Sequence, residues 1–199
     1  MGIRLILILW TAVAWLAGYS GAFLRLPTMA PQACVAILTM ILLTVYFFSR
    51  QARGKIAALT LRGLLIPHIG RFVGIYFLYL HREGRLPEAF AVRGGWGDII
   101  AATGALLLIL AAASFTKFRG AVLVWNIFGL IDIGFVVAMA VRANLTDPAS
   151  MNELRHLPLS LLPTLLVPLI IGTHVIIFHQ LIQNRRANAE ARAKVQHGN

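Results

Sequence analysis

Ala121–Val141, AVLVWNIFGLIDIGFVVAMAV, is the stretch that decides the fold: twenty-one residues with one ionisable side chain, Asp132, near the middle. A helix needs about 20 mostly apolar residues to cross a hydrocarbon core of roughly 30 Å. A soluble helix of this length would alternate apolar and polar residues every three or four positions, and this one does not. Hydrocarbon offers no partner to exposed N–H and C=O groups, so the span has to be helical.

The same pattern recurs on both sides of this stretch, at Ile3–Phe23, Pro31–Phe48, Leu61–Leu80, Asp98–Phe115 and Leu161–Ile182. The sequence therefore predicts an all-α, polytopic transmembrane helix bundle of six spans over residues 1–183, followed by a polar, basic tail over 184–199. The runs are unbroken rather than alternating, which excludes a membrane β-barrel. Of the 199 residues, 59% are hydrophobic and 13% charged, where a soluble chain carries roughly 25% charged. This composition excludes a disordered chain, a disulfide scaffold and almost any soluble enzyme. The single cysteine, Cys34, can neither close an internal disulfide nor build a zinc site alone.

Eighteen Lys and Arg against seven Asp and Glu give +11. Their placement explains the excess. Arg4, Arg50, Arg53, Lys55, Arg62, Lys117, Arg119, Arg185, Arg186, Arg192 and Lys194 fall on one side of the six spans; Arg25, Arg82, Arg85, Arg93, Arg142 and Arg155 fall on the other. The positive-inside rule then puts both termini in the cytoplasm. The charge reads as topology and contact with anionic lipids at the cytoplasmic face, and not as nucleic-acid binding. Glu83, Glu88, Asp98, Asp147 and Glu153 are assigned to the outer side. Arg82–Gly97, rich in glycine, is expected to be an interfacial or re-entrant segment with Trp96 at headgroup level. Met151–Leu157 reads as a short surface helix. The first run has some features of a signal peptide, but Trp10, Trp15 and Tyr19 suit a retained span better.

Ionisable groups inside spans are expensive and mark candidate sites. His68 and Arg71 share a face of the third span, and Trp125, Gly129 and Asp132 form a stripe on the fifth, which also carries Asn126. Counted from the span ends, Arg71 and Asp132 both fall near the midplane, so they are expected to pair. The sixth span has His174 and His179. His68, Arg71, Asn126, Asp132 and His174 thus form the candidate substrate or proton site, and spans three, five and six must be neighbours. An alternative is a haem b held by His68 with His174 or His179, since imidazoles on different helices at similar depth suit axial ligation.

No phosphate loop, Cys-pair motif, HExxH or Gly-x-Ser-x-Gly elbow occurs, and nothing marks the chain as an enzyme. His81 and His156 lie near acids on the outer side, but no metal site is assigned to them. Pro158, Pro163, Pro168 and Gly172 predict a kinked sixth span. Gly70 and Gly74 give the third span a small-residue face. Leu64-Leu65-Ile66-Pro67 is echoed by Leu165-Leu166-Val167-Pro168, as in transporters with inverted repeats.

Four motifs, residues 67–74 (PHIGRFVG), 95–99 (GWGDI), 125–132 (WNIFGLID) and 157–164 (LPLSLLPT), resemble those of a group of short, uncharacterised bacterial integral membrane proteins. The resemblance covers most of residues 1–182, implies a bacterial inner membrane and carries no activity. The residues lead to an integral inner-membrane protein whose polar intramembrane site binds or moves a small solute or proton. A haem-binding electron-transfer protein and a non-catalytic assembly or structural protein are the alternatives. A bundle of this size could also work as a homodimer.

Overall fold

The structure is a computed structural model describing residues 2–197; the side chains of residues 3, 4, 186–188 and 190–197 lie outside the described residues. The lipid contacts expected of Arg4, Arg186, Arg192 and Lys194 therefore fall outside it. Among the described residues the chain is all-helical, without strands. Its α-helices are α1 (Ile3–Tyr19), α2 (Ala30–Phe48), α3 (Arg50–Ala57), α4 (Leu61–Leu65), α5 (Val73–Arg82), α6 (Glu88–Leu110), α7 (Arg119–Thr146) and α8 (Val167–His197). Five helical stretches are long and apolar enough to cross a membrane: Ala30–Phe48, Leu61–Arg82, Glu88–Leu110, Arg119–Thr146 and Leu162–Arg185. The first apolar helix is shorter, and a 3-10 turn at Ala22–Arg25 follows it. Large apolar side chains such as Ile8, Val13, Phe48, Leu110 and Ile131 cover the outer surface.

Two stretches depart from α geometry, and both contain proline. Residues 61–82 run as α4, a 3-10 segment at Ile66–Phe72 and α5. Pro67 has no N–H to donate back to Gly63, so the helix tightens there. The expected kink near Pro163 and Pro168 takes the form of a π-helical segment, Leu162–Leu166, leading into α8. The two echoed tetrapeptides thus both sit at breaks in helical geometry. The breaks also touch, because a Cβ on Gly70 would lie 2.8 Å from Leu166 Cδ1.

The fourth span differs from its expectation. The helix begins at Glu88 and ends at Leu110, so Glu88–Gly97 is not an interfacial or re-entrant loop but the first three turns of α6. The glycines that read as turn formers are packing residues. Gly94, Gly97, Ala101 and Gly104 recur at intervals of three and four, and a Cβ on Gly94, Gly97 or Gly104 would meet Val136, Asp132 or Trp125 of α7. On another face Gly95 crosses Gly74 of α5 backbone to backbone. α6 therefore lies between α5 and α7, close to both, which small residues permit. Trp96 remains on the outer surface, 56% exposed.

The end of the bundle near residues 83–86 and 147–160 is closed by polar ties. The Arg85 guanidinium donates to both Glu153 carboxylate oxygens, at 3.0 and 2.8 Å, and that carboxylate holds the Arg85 proton more firmly than usual. Pro148–Arg155 is a 3-10 helix capped by Asp147, in place of the surface helix expected at 151–157, and it buries Met151 and Leu154. Arg155 donates to the carbonyls of Phe23 and Leu26, tying this cover to the end of α1.

A candidate site around a buried arginine

Arg71 is the largest side chain with under 2% of its surface exposed. The 3-10 segment points it inward, and each face of its guanidinium fork has an acceptor. Nε donates to Asp98 Oδ1 of α6 at 2.7 Å, Nη1 to the Gly129 carbonyl of α7 at 3.0 Å, and Nη2 to Asp132 Oδ2 of α7. The Arg71–Asp132 pairing read from depth along two spans is thus present. Asp98 was missed: it was placed on the outer side, yet it is 3% exposed and is a direct partner of Arg71. Its signals were the three-and-four spacing of small residues that carries the helix through Gly94–Gly97, and the need of a buried guanidinium for more than one acceptor.

Two carboxylates around one guanidinium carry a net charge of −1 when both are ionised. Asp132 is the more open of the two acids, its side chain 11% exposed against 5% for Asp98.

A histidine pair adjoins the charged group. His68 and His174 are each fully buried, their rings in contact at 4.3 Å between centroids, and Trp125 packs on both at 4.8 and 5.1 Å. Trp125 is fixed by donating Nε1–H to the Ala101 carbonyl at 2.9 Å. His174 Nδ1 lies 2.8 Å from Asn126 Oδ1, while the Asn126 amide donates to the His174 carbonyl at 3.1 Å. An amide oxygen only accepts, so His174 donates from Nδ1. Thr173 Oγ1 is 2.8 Å from the Leu169 carbonyl and 2.9 Å from His68 Nε2. The hydroxyl thus bridges the Leu169 carbonyl and the His68 ring. Neither His174 Nε2 nor His68 Nδ1 has a partner among the described residues. Gly129 keeps this edge open: a Cβ there would lie 2.8 Å from His174 Nε2 and 3.4 Å from Arg71 Nη1.

His68, Arg71, Asn126, Asp132 and His174 therefore come together, joined by Asp98, Trp125 and Thr173. His179 does not join them. It pairs with Tyr46 Oη at 2.7 Å and Gln183 Nε2 at 3.1 Å, and its ring meets Phe47. His68 and His174 do not face each other across a gap, as axial ligation of one haem by that pair would need. His68 and His174 touch ring to ring with Trp125 closing the side, so no slot for a macrocycle separates them. On the opposite end, His81 pairs with the Leu86 carbonyl and His156 with Asn152. Among the described residues no group of three His, Cys, Asp or Glu is placed to hold a metal ion.

Neither a curated protein nor a solved structure matches the chain. A family model described as Domain of unknown function (DUF8737) matches residues 28–182, a range that contains every member of this cluster, and the chain belongs to that family.

Proposed function

We propose that the protein is a multi-pass protein of a bacterial inner membrane whose interior cluster binds or moves a proton or a small solute, with the proton as the better fit. In this reading α1 is a sixth span and both termini are cytoplasmic, as the distribution of Lys and Arg suggests. One observation carries the choice. A guanidinium sits between two carboxylates, beside two histidines that each keep one ring nitrogen without a partner. All three guanidinium nitrogens of Arg71 already have protein acceptors, whereas two ring nitrogens of the cluster have no protein partner and can exchange a proton. Asp132 is its most open acid, and the two irregular segments supply backbone that can shift.

The protein acceptors on every guanidinium nitrogen of Arg71 also favour a second reading, in which the cluster only locks the 3-10 segment Ile66–Phe72, α6 and α7 in register. Proteoliposomes enclosing a pH-sensitive dye separate the two. With an imposed gradient, the wild type is expected to pass protons, and Asp132→Asn and Arg71→Ala to stop them. Arg71→Ala with Asp132→Ala should be tolerated better than Arg71→Ala alone, because one buried carboxylate rather than two is left without its cation. Folded single variants with unchanged flux or ligand binding would leave the structural reading standing.

A further inference from the structure

The end of the bundle opposite Arg85 carries Arg50, Arg53, Lys55, Arg62, Lys117 and Arg119 on segments 49–62 and 111–121, and these segments contain no Asp or Glu. Such an end attracts anions. Into it opens a cleft of about 680 Å³ between α4, the end of α6 and α8. That volume lies within the roughly 300–1,000 Å³ of small-molecule sites. Its lining combines the polar Arg62, Gln180 and Asn184 with the apolar Leu61, Leu65 and Leu108.

Gln180 makes this cleft more than a gap between helices. It is only 7% exposed, and its amide nitrogen has no hydrogen-bond partner among the described residues. A buried amide without a partner is costly to keep. Gln180 lines the cleft together with Arg62, so a group entering there would meet both an amide in need of an acceptor and a positive charge. A phosphate oxygen meets both requirements. The apolar part of the lining is of no use to a bare ion but suits a hydrocarbon chain. From these features we infer that the cleft is a binding site for the phosphate headgroup of an acidic phospholipid, held by Arg62 and Gln180, with the first part of its acyl chain against Leu61, Leu65 and Leu108.

The test is lipid retention by the full-length protein, released from vesicles of phosphatidylcholine containing a minor share of phosphatidylglycerol and read by native mass spectrometry. The wild type should keep phosphatidylglycerol in preference to phosphatidylcholine. Arg62→Gln and Gln180→Leu should each reduce that retention about tenfold or more, the scale of one hydrogen bond to a charged group. Arg50→Gln, which removes a charge at the same end but outside the cleft, should leave it within a factor of about two. Gln180→Leu removes a polar group without a partner, so its melting temperature should not fall; Gln180→Glu, keeping the shape and repelling phosphate, should lose the lipid as well. Equal retention of the two lipids, or unchanged retention in Gln180→Leu and Gln180→Glu, overturns the proposal. Binding of inorganic phosphate to lipid-free protein as strong as that of the lipid would make this a soluble-anion site and overturn it too.

Discussion

Trp10 and Thr164, 154 residues apart, are joined by one hydrogen bond from the indole Nε1–H to the backbone carbonyl at 2.7 Å. Thr164 lies four residues before Pro168, which has no N–H to give it. α1 is thus fastened to the bundle at the point where proline opens the sixth apolar stretch.

This relationship gives the first prediction. Trp10→Phe keeps the ring and removes the donor, so it should lower stability by about 1–3 kcal/mol. Pro168→Ala restores a backbone donor for Thr164, and in that background Trp10→Phe should cost markedly less. Thermal unfolding in detergent, followed by a thiol dye at the single cysteine Cys34, measures all four chains. Equal costs in the two backgrounds would show that the indole acts through packing alone.

The second prediction concerns Asp98. Removing one acid leaves the buried guanidinium short of an acceptor, and breaking a buried pair costs about 3–5 kcal/mol. Asp98→Ala should be at least as damaging as Asp132→Ala, since Asp98 is the more enclosed partner. Adding Arg71→Met should not restore stability in either case, because the remaining carboxylate then loses its cationic partner. If Asp98→Ala melts like the wild type, the Arg71–Asp98 contact contributes nothing to the fold.

How far these features were legible depends on what kind of information each needs. Arg71 and Asp132 could be paired from sequence because depth within a span is a count along one helix, and two counts suffice to match them. Asp98 could not be matched that way, because Gly94-Gly95-Trp96-Gly97 reads as turn chemistry until a partner helix is known to press against it. Close packing against Gly74 and α7 overrides the low helix propensity of those glycines. His179 shows the converse. By count it falls in the same half of the bundle as His68, but it lies five residues from His174 and faces Tyr46 instead. The breaks at Pro67 and Pro163 were visible as prolines, whereas the contact between Gly70 and Leu166 that brings them together is tertiary and was not.

The third prediction tests that packing. Trp125 lies so close to α6 that a Cβ on Gly104 would sit 2.5 Å from its Cδ1. Gly104→Ala should therefore cost about 1–3 kcal/mol, although alanine is the better helix former. It should also displace the indole, seen as a shift in tryptophan fluorescence relative to the same change in a Trp125→Phe background. A stabilised Gly104→Ala would mean that α6 and α7 stand further apart.

The last prediction compares two helix ends of the same design. At the end of α5, Gly84 has φ +69° and donates to the His81 carbonyl, while Arg85 N–H reaches back to Leu80. At the end of α6 the same two bonds run from Ala112 to Ile109 and from Ala113 to Leu108, but the left-handed position, φ +47°, is held by alanine. A Cβ in that conformation costs about 1–2 kcal/mol, against roughly 0.5–1 kcal/mol for the greater freedom glycine loses on folding. Relief of strain is the larger effect. Ala112→Gly should thus raise stability by about 0.5–1 kcal/mol, and Gly84→Ala should lower it by a similar amount, each read as a melting-temperature shift of opposite sign. No Cβ contact within 4 Å complicates Gly84→Ala. Shifts of the same sign in both variants would show that the left-handed cap does not control either helix end.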